Sequence, residues 1–112
     1  MKKSAYVPDR GDIVWLQFNP QSGHEQAGHR PALVLSPANY NRVTGLMLCC
    51  PMTSQKKGYP FEVVVSDDPQ RMSVVLADQV KSLDWKARKA VKKGAASLNV
   101  VMETLSKLQT LL

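Results

Sequence analysis

Five short apolar runs, each stopped within a few residues by proline, glycine or a polar pair, narrow what this chain can fold into. They are Asp12–Phe18, Ala32–Ser36, Leu46–Cys50, Phe61–Val65 and Ser73–Val80, rich in β-branched and aromatic residues. Such runs read as strands. From Ser97 onward the pattern changes: Leu98, Val101, Met102, Leu105, Leu108 and Leu112 recur at three- and four-residue spacings, which predicts one long helix with an apolar stripe. Short strands followed by a single terminal helix predict a mainly β fold, a compact and partly open barrel with the helix packed across it. At 112 residues the chain fits one domain, 1–112, large enough to bury roughly two thirds of its unfolded surface.

The connections carry further expectations. Asn19 to His29 reads as a long loop, and Arg30, ahead of Pro31, should be extended where that loop meets the sheet. Ser36-Pro37 reads as the N-cap and first turn of a short helix over 38–42, closed near Gly45. Pro51 cannot donate to a ladder, so pairing should falter there and leave Thr53 and Ser54 at a strand exit. Lys56 to Pro60 reads as a turn. Phe61, Val63 and Val65 should share one face, and Asp78 and Gln79 should lie near the end of the strand from Ser73. Lys86 to Lys93 fits a basic helix or a twisted strand, with strand the expectation.

Charge narrows the partners. Fifteen basic residues against nine acidic ones give +6. Much of the excess, Lys81, Lys86, Arg88, Lys89, Lys92 and Lys93, falls where Asp84 is the one acid. That cluster favours a polyanion, nucleic acid before membrane. No apolar run is long enough to span a bilayer, and Met1-Lys2-Lys3 is not followed by a signal-peptide core, so a cytoplasmic protein is expected. Cys49 and Cys50 are adjacent, which is neither a redox CxxC nor a zinc spacing; buried free thiols are expected.

Chemistry concentrates in Glu25-Gln26-Ala27-Gly28-His29-Arg30-Pro31. The acids are scattered and His24 and His29 lack a ligand set around them, so no metal and no cofactor is expected. RNA can be cut without metal because its own 2′-OH is the nucleophile. Arginine suits the charge that builds on the phosphorane, through its planar fork of donors. Thr53 can add a neutral hydrogen bond. Glu25, His24 or His29 could take the proton, the histidines having the better intrinsic pKa.

Beyond these residues the chain closely resembles the MazF/PemK (Kid) family of toxin endoribonucleases, and within it the MazF branch. The matching blocks are Tyr6-Val7-Pro8-Asp9, Gly11-Asp12, Glu25 to Pro31, and Val34-Leu35-Ser36-Pro37. They continue through Lys57 to Val64, Leu76 to Ser82, and Lys92-Lys93-Gly94, covering nearly the whole chain. The resemblance implies the compact SH3-like β-barrel of MazF/PemK/CcdB-type toxins, in a homodimer. It also implies sequence-specific, metal-independent cleavage of single-stranded RNA to 2′,3′-cyclic phosphate and 5′-hydroxyl ends, with a MazE-like antitoxin as partner. Arg30 and Thr53 match the family's catalytic pair, and Glu25 matches an implicated acid. Contacts to RNA are expected from His24, Gln26, His29, Lys56, Lys57, Asp78 and Gln79. Asp78 matches the aspartate that the Kid branch pairs with an arginine two residues earlier, but Leu76 stands in that place here.

Two other functions share this architecture: a gyrase-poisoning toxin and a barrel that binds RNA without cutting it. The Arg30 block and Thr53 favour the endoribonuclease. Base readout depends on loop conformation, so the recognised RNA motif stays open.

Overall fold

The structure, a computed structural model, describes residues 6–18 and 28–112. The elements in order are β1 (Asp12–Phe18), β2 (Gly28–Val34), α1 (Ala38–Thr44), β3 (Leu46–Thr53), β4 (Glu62–Ser66), β5 (Ser73–Leu76), β6 (Lys81–Asp84), β7 (Val91–Ala95) and α2 (Leu98–Gln109). The strands form one antiparallel sheet in the order β4-β5-β3-β2-β1-β7, with β6 paired to the first half of β3. It curls into a half-barrel with α2 laid against it. Among the described residues no helix is long and apolar enough to cross a membrane.

Each face of the sheet carries a buried cluster. Strand alternation puts Val14, Leu16, Ala32, Val34, Met47 and Cys49 on one face, closed by Trp85. Leu33, Cys50, Met52, Val63 and Val75 lie on the other face, with Val101 of α2 packed on them. Phe61 and Val65 join Val63 there, as their alternation predicts. Asn41, fully buried, ties the first face together: its side-chain amide donates to Pro8 O and Ser36 O, and its backbone carbonyl accepts from Trp85 Nε1 at 2.8 Å.

Several boundaries differ from the sequence expectation, each for a reason visible in the pairing. β2 begins at Gly28, so His29 and Arg30 belong to the strand and not to the preceding loop; Gln17↔His29 and Leu16↔Arg30 are in register with β1. β3 runs past Cys50 to Thr53, with Thr53 at its exit. Pro51 is tolerated because its missing N–H falls where that edge of β3 passes from β6, last paired at Cys49↔Lys81, to β5, first paired at Met52↔Val75. The strand from Ser73 stops at Leu76, and Asp78 and Gln79 lie in the turn to β6, where Gln79 N donates to Leu76 O.

Helix ends show the same mixture. Ser36 does not cap α1: Pro37 is the N-cap, and the Ser36 hydroxyl instead donates to Asn41 Oδ1 and accepts from Leu48 N. Asp9 Oδ1 takes the Ala38 N–H at 2.9 Å. Gly45 closes α1 in the left-handed conformation (φ 75°) as expected. Ser97 caps α2 by accepting from Val100 N at 3.2 Å. The stripe on α2 is rotated from its predicted position. Val101 and Thr104 are buried, with Leu105 and Leu108 against the core, while Leu98, Met102 and Leu112 are exposed. The basic tract divides into a turn over 85–89 and then β7.

Candidate active site

The two central prolines open the site. β2 and β3 stay in register only as far as Ala32↔Pro51. Pro31, the next residue of β2, has no N–H with which to continue that ladder. Beyond this point the strands part around a groove of about 790 Å³. Two residues outward from the last pair stand Arg30 on β2 and Thr53 on β3, and both line the groove. Because side chains repeat every two residues along a strand, both project from the same face as Ala32 and Pro51.

The local chemistry follows. Arg30 is exposed, and no described residue hydrogen-bonds or ion-pairs with its guanidinium, so its fork of donors is open to a ligand. Thr53 Oγ1 accepts from Gln55 N at 3.2 Å, which fixes the oxygen and leaves its hydrogen to donate. His29 also lines the groove, from the alternate face of β2, edge-on to Trp15 with ring centroids 6.4 Å apart. Lys93 Nζ lies 4.7 Å from the centre of the Trp15 ring. Arg71, from the β4–β5 connection, also lines the groove.

Of the residues expected at the site, the structure brings Arg30, Thr53 and His29 together. Glu25, His24 and Gln26 lie outside the described residues. Lys56 and Lys57 sit on the exposed β3–β4 connection, beside the groove rather than in its wall; Lys56 pairs with Asp67 at 4.0 Å. That connection is shaped from beneath by Glu62, whose buried carboxylate accepts from Lys57 N and Gly58 N. Desolvation works to raise this carboxyl, but the backbone N–H groups of Lys57, Gly58 and Tyr59, with Lys56 nearby, bring it below its ordinary value. Asp78 and Gln79 are exposed in the β5–β6 turn and do not line the groove.

Sequence reasoning singled out neither Trp15 nor Arg71, and held Lys93 only as part of the basic cluster expected to meet a polyanion. Trp15 reads from sequence only as one aromatic of the β1 run, and its place opposite Pro31 at the splayed end is a consequence of register. Lys93 looked like one lysine of a run. The β1–β7 pairing passes from Ile13↔Gly94 to Val14↔Lys92, so Lys93 is the extra residue of a bulge. The adjacent thiols, both free and buried, are far from reactive: burial pushes Cys49 and Cys50 each up to about 12.

Residues 9–112 match the family described as PemK-like, MazF-like toxin of type II toxin-antitoxin system. The chain is 61% identical over 94 residues to the endoribonuclease toxin MazF of Escherichia coli (strain K12), with 84% of each protein covered. It is 40% identical to the endoribonuclease toxin ChpB of the same strain, over 97% of this chain and 96% of that protein. A crystal structure of MazE–MazF from Deinococcus radiodurans is similar with a TM-score of 0.87 at 56% identity, covering 96% of either chain.

Proposed function

Because this chain belongs to the PemK-like, MazF-like toxins of type II toxin–antitoxin systems and is an endoribonuclease toxin, we propose that it cuts single-stranded RNA in the β2–β3 groove without a metal. The observation that carries this reading is the convergence of Arg30 and Thr53 on one open groove. The 2′-oxygen attacks the neighbouring phosphorus, the new 2′-O–P bond forms and the P–O5′ bond breaks. Arg30 holds the two non-bridging oxygens as their charge grows, a task for a rigid fork of donors. Thr53 donates a further hydrogen bond. The proton leaves the 2′-OH for a base supplied by His29, Glu25 or His24, and the departing 5′-oxygen takes up a proton, from that protonated group or from water, to leave as a hydroxyl.

Surface composition supports a homodimer. Tyr40, Leu46 and Leu48 are partly exposed and Val43 is largely so, an apolar area on α1 and β3 that suits a second copy of the chain. A cytoplasmic location fits an enzyme whose substrate is message. A MazE-like antitoxin with an acidic tail carrying apolar anchors suits the basic surface and competes with RNA for the groove.

Incubating the pure protein with naked RNA in excess chelator tests the reaction. Cleavage should persist, leave 2′,3′-cyclic phosphate, and vanish when the cut-site nucleotide is 2′-deoxy. Loss of cleavage on adding EDTA, or cutting of the deoxy strand, would overturn the mechanism. Binding without any cyclic-phosphate product would favour the non-cleaving barrel.

A further inference from the structure

Next to the groove lies a second cavity of about 200 Å³, bounded by Ile13, Pro31, Met52, Ser73 and the Lys93–Ala95 segment of β7. It opens beside the groove, with which it shares Pro31, Met52, Ser73 and Lys93. We infer that this cavity is a subsite for one nucleobase of the RNA, a base next to the scissile phosphate turned out of the strand and inserted beneath Lys93. The inference rests on the reading that the groove carries RNA.

Its chemistry suits a flat heterocycle. The volume is below the ~300–1,000 Å³ of a pocket for a larger ligand. Ile13, Pro31 and Met52 supply apolar walls, and the methionine thioether adapts to a ring face. Ser73 offers a hydroxyl. Among the described residues β7 pairs with β1 alone, so its outer edge offers backbone N–H and C=O groups to the edge of a base. Single-stranded RNA is read in this manner, by unstacked bases against apolar or aromatic surfaces with hydrogen bonds at their edges. The bulge at Lys93 carries its ammonium over the Trp15 ring at the cavity mouth, where the phosphate of the inserted nucleotide would pass.

Gly94 makes the cavity testable. It pairs with Ile13, so a side chain there would project to the same face as Ile13, into the cavity. A Cβ built at Gly94 meets no atom within 4 Å, so a larger residue can enter without a clash at its first carbon.

The experiment maps a cut site in a long RNA. It then places an abasic residue, one position at a time, around that site in a short single-stranded oligoribonucleotide. The full-length wild-type protein should lose about tenfold or more in kcat/KM at one position, the scale of one stacked base. In Gly94→Leu the filled cavity should make the same abasic change nearly silent, within about twofold, whereas independent effects would multiply. Gly94→Ala covers the event that the leucine variant does not fold, and should shrink the penalty at that position only. Equal abasic penalties in wild type and folded variants at every position would overturn the subsite while leaving the cleavage reaction intact. A wild-type protein that cuts no RNA would overturn the reaction and the subsite together.

Discussion

Ala32 and Pro51 are the last residues that β2 and β3 hold in register, and the groove begins one residue beyond them. The site is thus built at a break in a ladder, between two rigid walls. Residues on strands hold a reacting phosphate more firmly than residues on loops, and Arg30 and Thr53 both lie on strands.

Arg30→Ala should lower kcat by a factor on the order of 10²–10³, or about 3–4 kcal/mol in the barrier, as for loss of one transition-state donor. Urea unfolding should be little changed, since the side chain is exposed and partnerless among the described residues. Cleavage within tenfold of wild type by the folded variant would remove Arg30 from the chemistry. Thr53→Ala should show a smaller loss, largely restored in Thr53→Ser.

The lysines should divide by position. Lys93 lines the groove, whereas Lys86 lies in the 85–89 turn with its ammonium 5.6 Å from the Trp85 ring centre. Lys93→Gln should flatten the salt dependence of RNA binding by about 0.7 in log–log slope, the value for one phosphate contact. Lys86→Gln should leave the slope alone. A titration of binding against salt for the two variants decides it, and equal slopes would mean that RNA takes another path.

Glu62 should make stability depend on acidity. Its carboxyl titrates below its ordinary value in the folded chain, so unfolding raises its proton affinity. The stabilisation is therefore complete above the unfolded pKa of about 4.3 and is lost as pH falls through the lowered folded value. Glu62→Gln should be less stable at neutral pH and lose less on acidification. Amide exchange at Lys57 and Gly58 should also quicken in the variant; unchanged rates would show that the carboxylate does not hold this connection.

Val101 is the point where α2 enters the core, 5% exposed against Leu33, Cys50 and Val75. Val101→Ala should cost about 2 kcal/mol through lost burial and an unfilled space. Chemical denaturation would measure this, and a change below about 0.5 kcal/mol, typical of surface sites, would mean that the helix is held elsewhere.

Much of this was legible in the sequence wherever the signal was local. The Ser97 cap, the Gly45 stop and the alternation of Phe61, Val63 and Val65 all rest on neighbours in the chain. Non-local pairing was harder to read. β2 starts at Gly28 because β1 pairs with it there, and no propensity within Gly28 to Arg30 announces a strand. The spacing on α2 marks an apolar face, but the sheet meets Val101 and Leu105 and leaves Leu98 and Met102 outside. The roles of Arg30 and Thr53 came from family resemblance; register supplies their geometry. Trp15, Lys93 and Gly94 come together only through the β1–β7 bulge, which single-strand patterns do not encode.

Cys49 and Cys50 are consecutive in β3 yet face opposite cores, one toward Met47 and Trp85, the other toward Leu33 and Val101. The chain thus carries a built-in pair of clocks. A thiol-labelling reagent reaches Cys49 only when the first core opens and Cys50 only when the second does. Following the two labels by mass spectrometry would time the unfolding of each side of one sheet within a single molecule.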